Sequence, residues 1–161
     1  MATTIGKLQV WRAEVENRPG ALDAILEPLA NAGADLSVVF GWVDPANPNR
    51  GVVEVGPIKG RKQTDAAKSV GLVQSDVPVL VVQGPNAPGL GHRIANAVAQ
   101  AGINLKFLAA QVAGRNYSAV FGFESASDAT KAQRVIKNAL TARGGAKRAG
   151  AKKKRAAKAK K

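Results

Sequence analysis

The chain repeats itself, and this constrains its fold more than any other feature. At an offset of 69 residues, Asn17-Arg18-Pro19-Gly20 aligns with Asn86-Ala87-Pro88-Gly89. Ile25 falls on Ile94, Leu29 on Val98, Ala32-Gly33 on Ala101-Gly102, and Leu36 on Leu105. The spacing from the first Asn to the Ala-Gly pair is the same in both copies. The 161 residues are therefore read as two small units of one design.

Each copy shows the same succession of patterns. An apolar, β-rich run comes first, over residues 8–15 and 77–82. An Asn-x-Pro-Gly turn follows, in which Pro fixes φ and Gly permits a backbone that other residues avoid. Leu22, Ile25, Leu26, Leu29 and Ala32 then recur at helical spacing, as do Ile94, Ala95, Val98 and Ala101. Gly33 and Gly102 stand where a helix-ending glycine belongs. A second strand is expected over residues 35–43 and 104–112, then turn residues over 44–50 and 113–116, then a third strand over 51–55 and 117–124. A second helix closes each copy, over residues 63–70 and 127–140, the latter with Ser127 as N-cap.

This order predicts an α+β fold of two tandem ferredoxin-like βαββαβ domains, each an antiparallel sheet with helices on one face. The expected boundaries are 1–75, 76–141 and a basic tail over 142–161. A fourth strand is visible only in the first copy, as residues 71–75 or merged with the run over 77–82. In the second copy none is visible, so its sheet edge must be open, paired with another copy, or covered. The Pro-rich residues 44–50 are read as a loop long enough to form a lid.

The formal net charge of +13 is unevenly placed. Residues 143–161 hold ten of the 24 Lys and Arg and no acid, whereas residues 1–142 carry the other 14 bases against all 11 acids. The body therefore gives little reason to expect a nucleic-acid-binding face. The tail, reduced to Ala, Gly, Lys and Arg, is expected to be disordered alone. Lys147, Arg148, Lys152, Lys153, Lys154, Arg155 and Lys158 would bind phosphate backbones non-specifically through counterion release, or serve only solubility.

Composition removes several chemistries. There is no cysteine and one histidine, His92, so disulfides and thiolate metal sites are excluded, and no metal or other cofactor is expected. No Ser or Thr pairs with a base in a local motif. The segment 84–91 follows a strand and opens a helix but lacks the Gly-Lys-Ser/Thr ending of a phosphate loop. No catalytic residues, and no enzyme activity, are expected. No apolar run approaches the ~20 residues of a membrane span, and the N-terminus lacks the apolar core of a signal peptide. The expectation is a cytoplasmic protein with no membrane partner. Trp11, Phe40, Phe107, Phe121 and Phe123 are assigned to core or interface, and Trp42 is the favoured interface residue, at the end of an edge strand.

The stretches 15–22 and 29–36, and 84–89 with 99–105, resemble the opening of an ACT domain: an acidic or amide residue, two more residues, Gly, then an apolar helix ending in Ala-Gly-Ile-Asn-Ile. The resemblance covers residues 8–140 and is closest to small bacterial proteins made only of two ACT domains. It implies binding of an amino acid or similar small ligand at domain interfaces, in a homodimer. It also implies that Asn17, Arg18 and Gly20, and Asn86, Ala87, Gly89 and Asn104, line the ligand sites, with Asp35 in the place of Asn104 in the first copy. The physics is compatible: Gly allows close approach to the backbone, a helix N-terminus suits a carboxylate, and an amide both donates and accepts. The same asparagines serve equally well as Asx-turns that start a helix without any ligand. Where the family often has Asp, the neutral amide attracts a ligand ammonium less. Three functions follow: a metabolite sensor, a nucleic-acid-associated protein whose body only dimerises, or a regulatory accessory subunit of a separate enzyme.

Overall fold

A computed structural model describes residues 3–141. Eight strands and four helices run in the order β1 (Thr4–Leu8), β2 (Trp11–Glu16), α1 (Ala21–Asn31), β3 (Val38–Asp44), β4 (Asn47–Gly56), α2 (Gly60–Ser69), β5 (Val73–Gln74), β6 (Val79–Pro85), α3 (Leu90–Gln100), β7 (Leu105–Ala113), β8 (Asn116–Phe123) and α4 (Ala126–Thr141). They form two four-stranded sheets, ordered β3-β4-β2-β5 and β1-β6-β8-β7. The chain divides into two units, residues 7–79 and residues 1–6 with those from 80 onward. The α+β, ferredoxin-like expectation holds in both.

In the first unit β2 lies antiparallel to both β4 and β5, and β3 antiparallel to β4. Register places Trp11 opposite Val55 and Ala13 opposite Val53. These residues meet Ile25, Leu29 and Ala67 of the two helices in one buried cluster. Alternation along the strands thus supplies one apolar face, and the helical period supplies the stripe that covers it. Full burial of a side chain such as Leu29 is worth roughly 2–3 kcal/mol. The second unit repeats the plan, with Leu80, Val82, Phe121 and Phe123 packed beneath Ile94, Val98 and Ile136.

The missing fourth strand of the second unit is the largest departure from the sequence reading. The edge is covered by β1, from the start of the chain, which pairs beside β6. Ile5 packs against that unit's core. Residues 8–15 are therefore not one strand: Leu8 ends β1, and Trp11 begins β2 in the other sheet. The break falls at Gln9-Val10, where Gln9 Nε2 donates to the carbonyls of Val10 (3.0 Å) and Ser75 (2.8 Å).

Two further expectations need correction. Residues 44–50 are not a lid, because β3 and β4 form a hairpin across Pro45-Ala46. The Asp44 and Asn47 side-chain oxygens accept from the N–H of Ala46 (2.9 Å) and Asn49 (3.1 Å), which folds the polar residues into the turn. The cap of α4 is Ser125 rather than Ser127: Ser125 Oγ accepts from the Asp128 N–H at 3.1 Å and donates to the Asp128 carboxylate at 2.8 Å.

Helices α1 and α3 correspond residue for residue. Both end with Gly in a positive-φ conformation and the same pair of bonds: Gly33 N–H to Ala30 and Ala34 N–H to Leu29, against Gly102 N–H to Ala99 and Ile103 N–H to Val98. This is the Schellman arrangement.

Candidate functional site

The strand-to-helix turns are built alike. Gly20 (φ 83°) and Gly89 (φ 74°) precede α1 and α3 in the left-handed region that a Cβ disfavours. The Ala21 and Leu90 N–H groups donate back to Arg18 and Ala87, and those of Ala24 and Arg93 to Gly20 and Gly89. No side chain caps either helix, so neither asparagine forms a cap. The first-turn N–H groups of Gly91 and His92 are thereby left without a partner among the described residues. Asp23 lies in the first turn of α1, whereas α3 has no acid there. The positive end of α3 is the better place for a ligand carboxylate.

The two asparagines differ. Each donates its backbone N–H to the neighbouring hairpin, Asn17 to Asn49 O at 2.9 Å and Asn86 to Arg115 O at 2.8 Å. The Asn17 side chain also donates to Pro48 O at 2.8 Å, tying the turn to the hairpin. The Asn86 side chain has no such bond among the described residues and lines a cavity instead.

That cavity, of about 450 Å³, belongs wholly to the second unit. Its walls come from the turn (Asn86, Ala87, Pro88, Gly89), the start of α3 (Leu90, Gly91, Ile94, Ala95), edge strand β7 (Leu105, Leu108, Ala110, Gln111, Val112) and β8 (Tyr117, Ala119, Phe121). Its size lies within the roughly 300–1,000 Å³ of small-molecule sites. Leu108 and Val112 are 52% and 56% exposed, so the mouth opens beside the free edge of the sheet. Among the described residues none that lines it is charged. Tyr117 contributes its ring. Its hydroxyl is sealed from solvent without a well-formed hydrogen bond, as is Nε of Arg93. Burial pushes the phenol above its ordinary value, and Thr3 and Arg93 oppose the shift.

The first unit has a more open concavity of about 420 Å³ on the flank of α1 toward α2, lined by Val15, Glu16, Arg18, Ala21, Ala24, Ile25 and Val70. Arg18 there pairs with Glu16 at 3.3 Å, with both side chains exposed. Asn17 and Gly20 are not in its lining, and Asn104 is exposed and outside the second cavity. The structure thus brings together Asn86, Ala87 and Gly89 and no comparable set from the first copy. The β7 and β8 wall was not singled out from sequence, although Leu108, Ala110 and Val112 alternate as residues of one sheet face do.

Elsewhere, Glu54 is buried on β4, 3.6 Å from the Arg12 guanidinium, which also lies over the Trp42 ring at 5.9 Å. Desolvation raises the Glu54 pKa, and Arg12 lowers it less. Trp11, Phe121 and Phe123 are buried, while Trp42 is 40% exposed on edge strand β3 and His92 is exposed. Among the described residues no three His, Cys, Asp or Glu side chains gather as a metal site, and no helix is long and apolar enough to cross a membrane. The basic residues Lys147, Arg148, Lys152, Lys153, Lys154, Arg155 and Lys158 lie outside the described residues.

No family model and no curated protein matches the chain. Solved structures do. A Bacteroides thetaiotaomicron protein superposes with a TM-score of 0.66 at 17% identity, over 84% of this chain and 90% of that one. The ligand-free regulatory subunit of aspartate kinase from Thermus thermophilus gives 0.62 at 18%, over 85% and 95%. A structure of aspartokinase alpha and beta subunits gives 0.58 at 17%, over 88% and 98%. The fold is ACT-like. At these identities the likeness is one of architecture, and it spans both units.

Proposed function

We propose that this ACT-like chain is a non-enzymatic regulatory protein that binds an amino acid or similar small metabolite in the cavity of its second unit. The observation that carries the reading is the conjunction at the β6–α3 turn. There, an amide side chain without a partner among the described residues and an uncapped helix N-terminus free of acids meet a cavity of about 450 Å³. A carboxylate would lie against the Gly91 N–H group, with Asn86 bonding the remaining polar group. In the first unit the corresponding amide is held by Pro48, which supports a structural role for Asn17.

The reading includes a homodimer. Edge strands β3 and β7 expose Val39 and Val43, and Leu108 and Val112, at positions related by the repeat offset. Such edges are commonly covered by another chain. Two of the similar structures carry the names of aspartate kinase regulatory or paired subunits. This favours a second form of the same reading, in which the chain is an accessory subunit that conveys ligand occupancy to a separate enzyme.

A thermal-shift screen of the full chain against the twenty amino acids tests the proposal. A ligand present at 100 times its Kd stabilises the folded state by about 2.7 kcal/mol. A response that disappears in Asn86→Ala and persists in Asn17→Ala supports the assigned cavity. Silence from all twenty removes the amino-acid reading.

A further inference from the structure

We infer that the second unit's cavity selects a ligand with an uncharged, apolar body beside its polar end, and excludes acidic and basic side chains. This rests on the ligand reading above and specifies the chemical class that the site takes.

The polar groups are gathered toward one end. The Asn86 backbone donates to Arg115 O, which places the turn against the β7–β8 hairpin tip. Asn86 and the start of α3 at Gly91 therefore lie toward that same end. Away from it the walls are Ile94, Leu105, Leu108 and Phe121, the last two directly opposite each other in register. A ligand with its carboxylate at the helix N-terminus would direct its side chain along this apolar stretch.

Charge decides which side chains are admitted. Among the described residues no Lys, Arg, His, Asp or Glu lines the cavity, so an ammonium or carboxylate on the ligand's body would lose water and meet no opposite charge there. Arg93, one residue from the His92 N–H, is not in the lining, and its buried Nε is sealed from solvent. Tyr117 presents carbon rather than its hydroxyl. The first unit shows the opposite chemistry, since its concavity is lined by the Glu16–Arg18 pair. An aliphatic or aromatic amino acid, or the corresponding oxo acid, fits the walls.

The test is calorimetric titration of the full chain with L-leucine, L-phenylalanine, L-lysine and L-aspartate, repeated on Leu108→Glu and Asn86→Ala. Leu108 is 52% exposed, so the substitution leaves the fold intact, and circular dichroism checks this. Leucine or phenylalanine is expected to bind roughly tenfold or more tightly than lysine and aspartate. Leu108→Glu, which puts a carboxylate into the apolar stretch opposite Phe121, is expected to shift the preference toward lysine. Equal or tighter binding of lysine or aspartate, lost in Asn86→Ala, overturns this inference and leaves the cavity as the ligand site. Leucine binding indifferent to both variants places the ligand elsewhere and overturns it too. Failure of every amino acid to bind removes the underlying reading together with this one.

Discussion

The two copies agree along their first helices and diverge in one hairpin, and the divergence reaches the candidate site. Val43 and Val112 are equivalent by the repeat, yet Val43 pairs with Gly51 and Val112 with Tyr117. The second hairpin is thus three residues shorter. The surplus in the first copy holds Pro48 and Asn49, whose carbonyls take the side chain and backbone N–H of Asn17. The shorter hairpin offers Asn86 only one carbonyl, that of Arg115, for its backbone. One copy spends its amide on architecture, and the other keeps it at the mouth of a cavity. Small insertions in a hairpin can therefore separate a copy whose amide is tied into the turn from one whose amide lines a cavity, while the motif itself is unchanged.

The units also differ in what closes them. The first supplies its own β5, while the second borrows β1. Removing residues 1–6 is expected to give the largest effect, about 3 kcal/mol lost from the second unit, because Ile5 loses its burial and the β6 edge is bared. Hydrogen exchange reads this directly: amides of β6 and β8 lose protection while those of β2 and β4 keep it. Equal loss in both sheets would break the comparison.

Next in size is the fate of the amides. Asn17→Ala is expected to cost ~1 kcal/mol, the usual net worth of a hydrogen bond, and Asn86→Ala close to nothing. Urea unfolding of the two variants measures the difference. A matching cost for Asn86→Ala would show that its side chain is as structural as that of Asn17.

Much of this was legible in the chain. The repeat placed α1 and α3 nearly to the residue, because N-x-P-G and Ala-Gly are local signals with their own backbone chemistry. The β1 exchange was not legible, since residues 8–15 read as one β-rich run and only long-range pairing divides it. The cavity was half legible. Asn86, Ala87 and Gly89 came from the motif, while Leu108, Val112 and Phe121 came from a sheet whose register no local pattern fixes. The unequal turns, 44–50 against 113–116, were visible, but they suggested a lid where the structure has a latch.

A smaller effect tests the helix starts. Gly91 lines the cavity with open space where a Cβ would stand, and its counterpart Leu22 is exposed. Gly91→Leu is expected to raise stability by ~0.5 kcal/mol, through helix propensity, while abolishing any ligand-induced thermal shift. A variant that binds as before would show that the ligand does not enter by the α3 start.

The smallest effect concerns the sheet faces turned away from the helices. Register relates β4 to β8 so that buried Glu54 stands where the second unit has buried Val120. The first unit keeps a carboxylate with one oxygen unpartnered. Burial raises the Glu54 pKa above its ordinary 4.5, more than Arg12 lowers it. A raised folded pKa means that the carboxyl favours folding in its neutral form. That contribution is complete below about pH 4.5 and is lost as pH climbs through the folded value. Glu54→Gln, which cannot ionise, should match the parent in acid and exceed its stability by a few tenths of a kcal/mol at pH 7. Denaturant titrations between pH 4 and pH 8 follow the gap. A gap that widens toward acid instead would mean that Arg12 dominates burial, and that the ion pair stabilises the first unit where the second relies on a plain apolar contact.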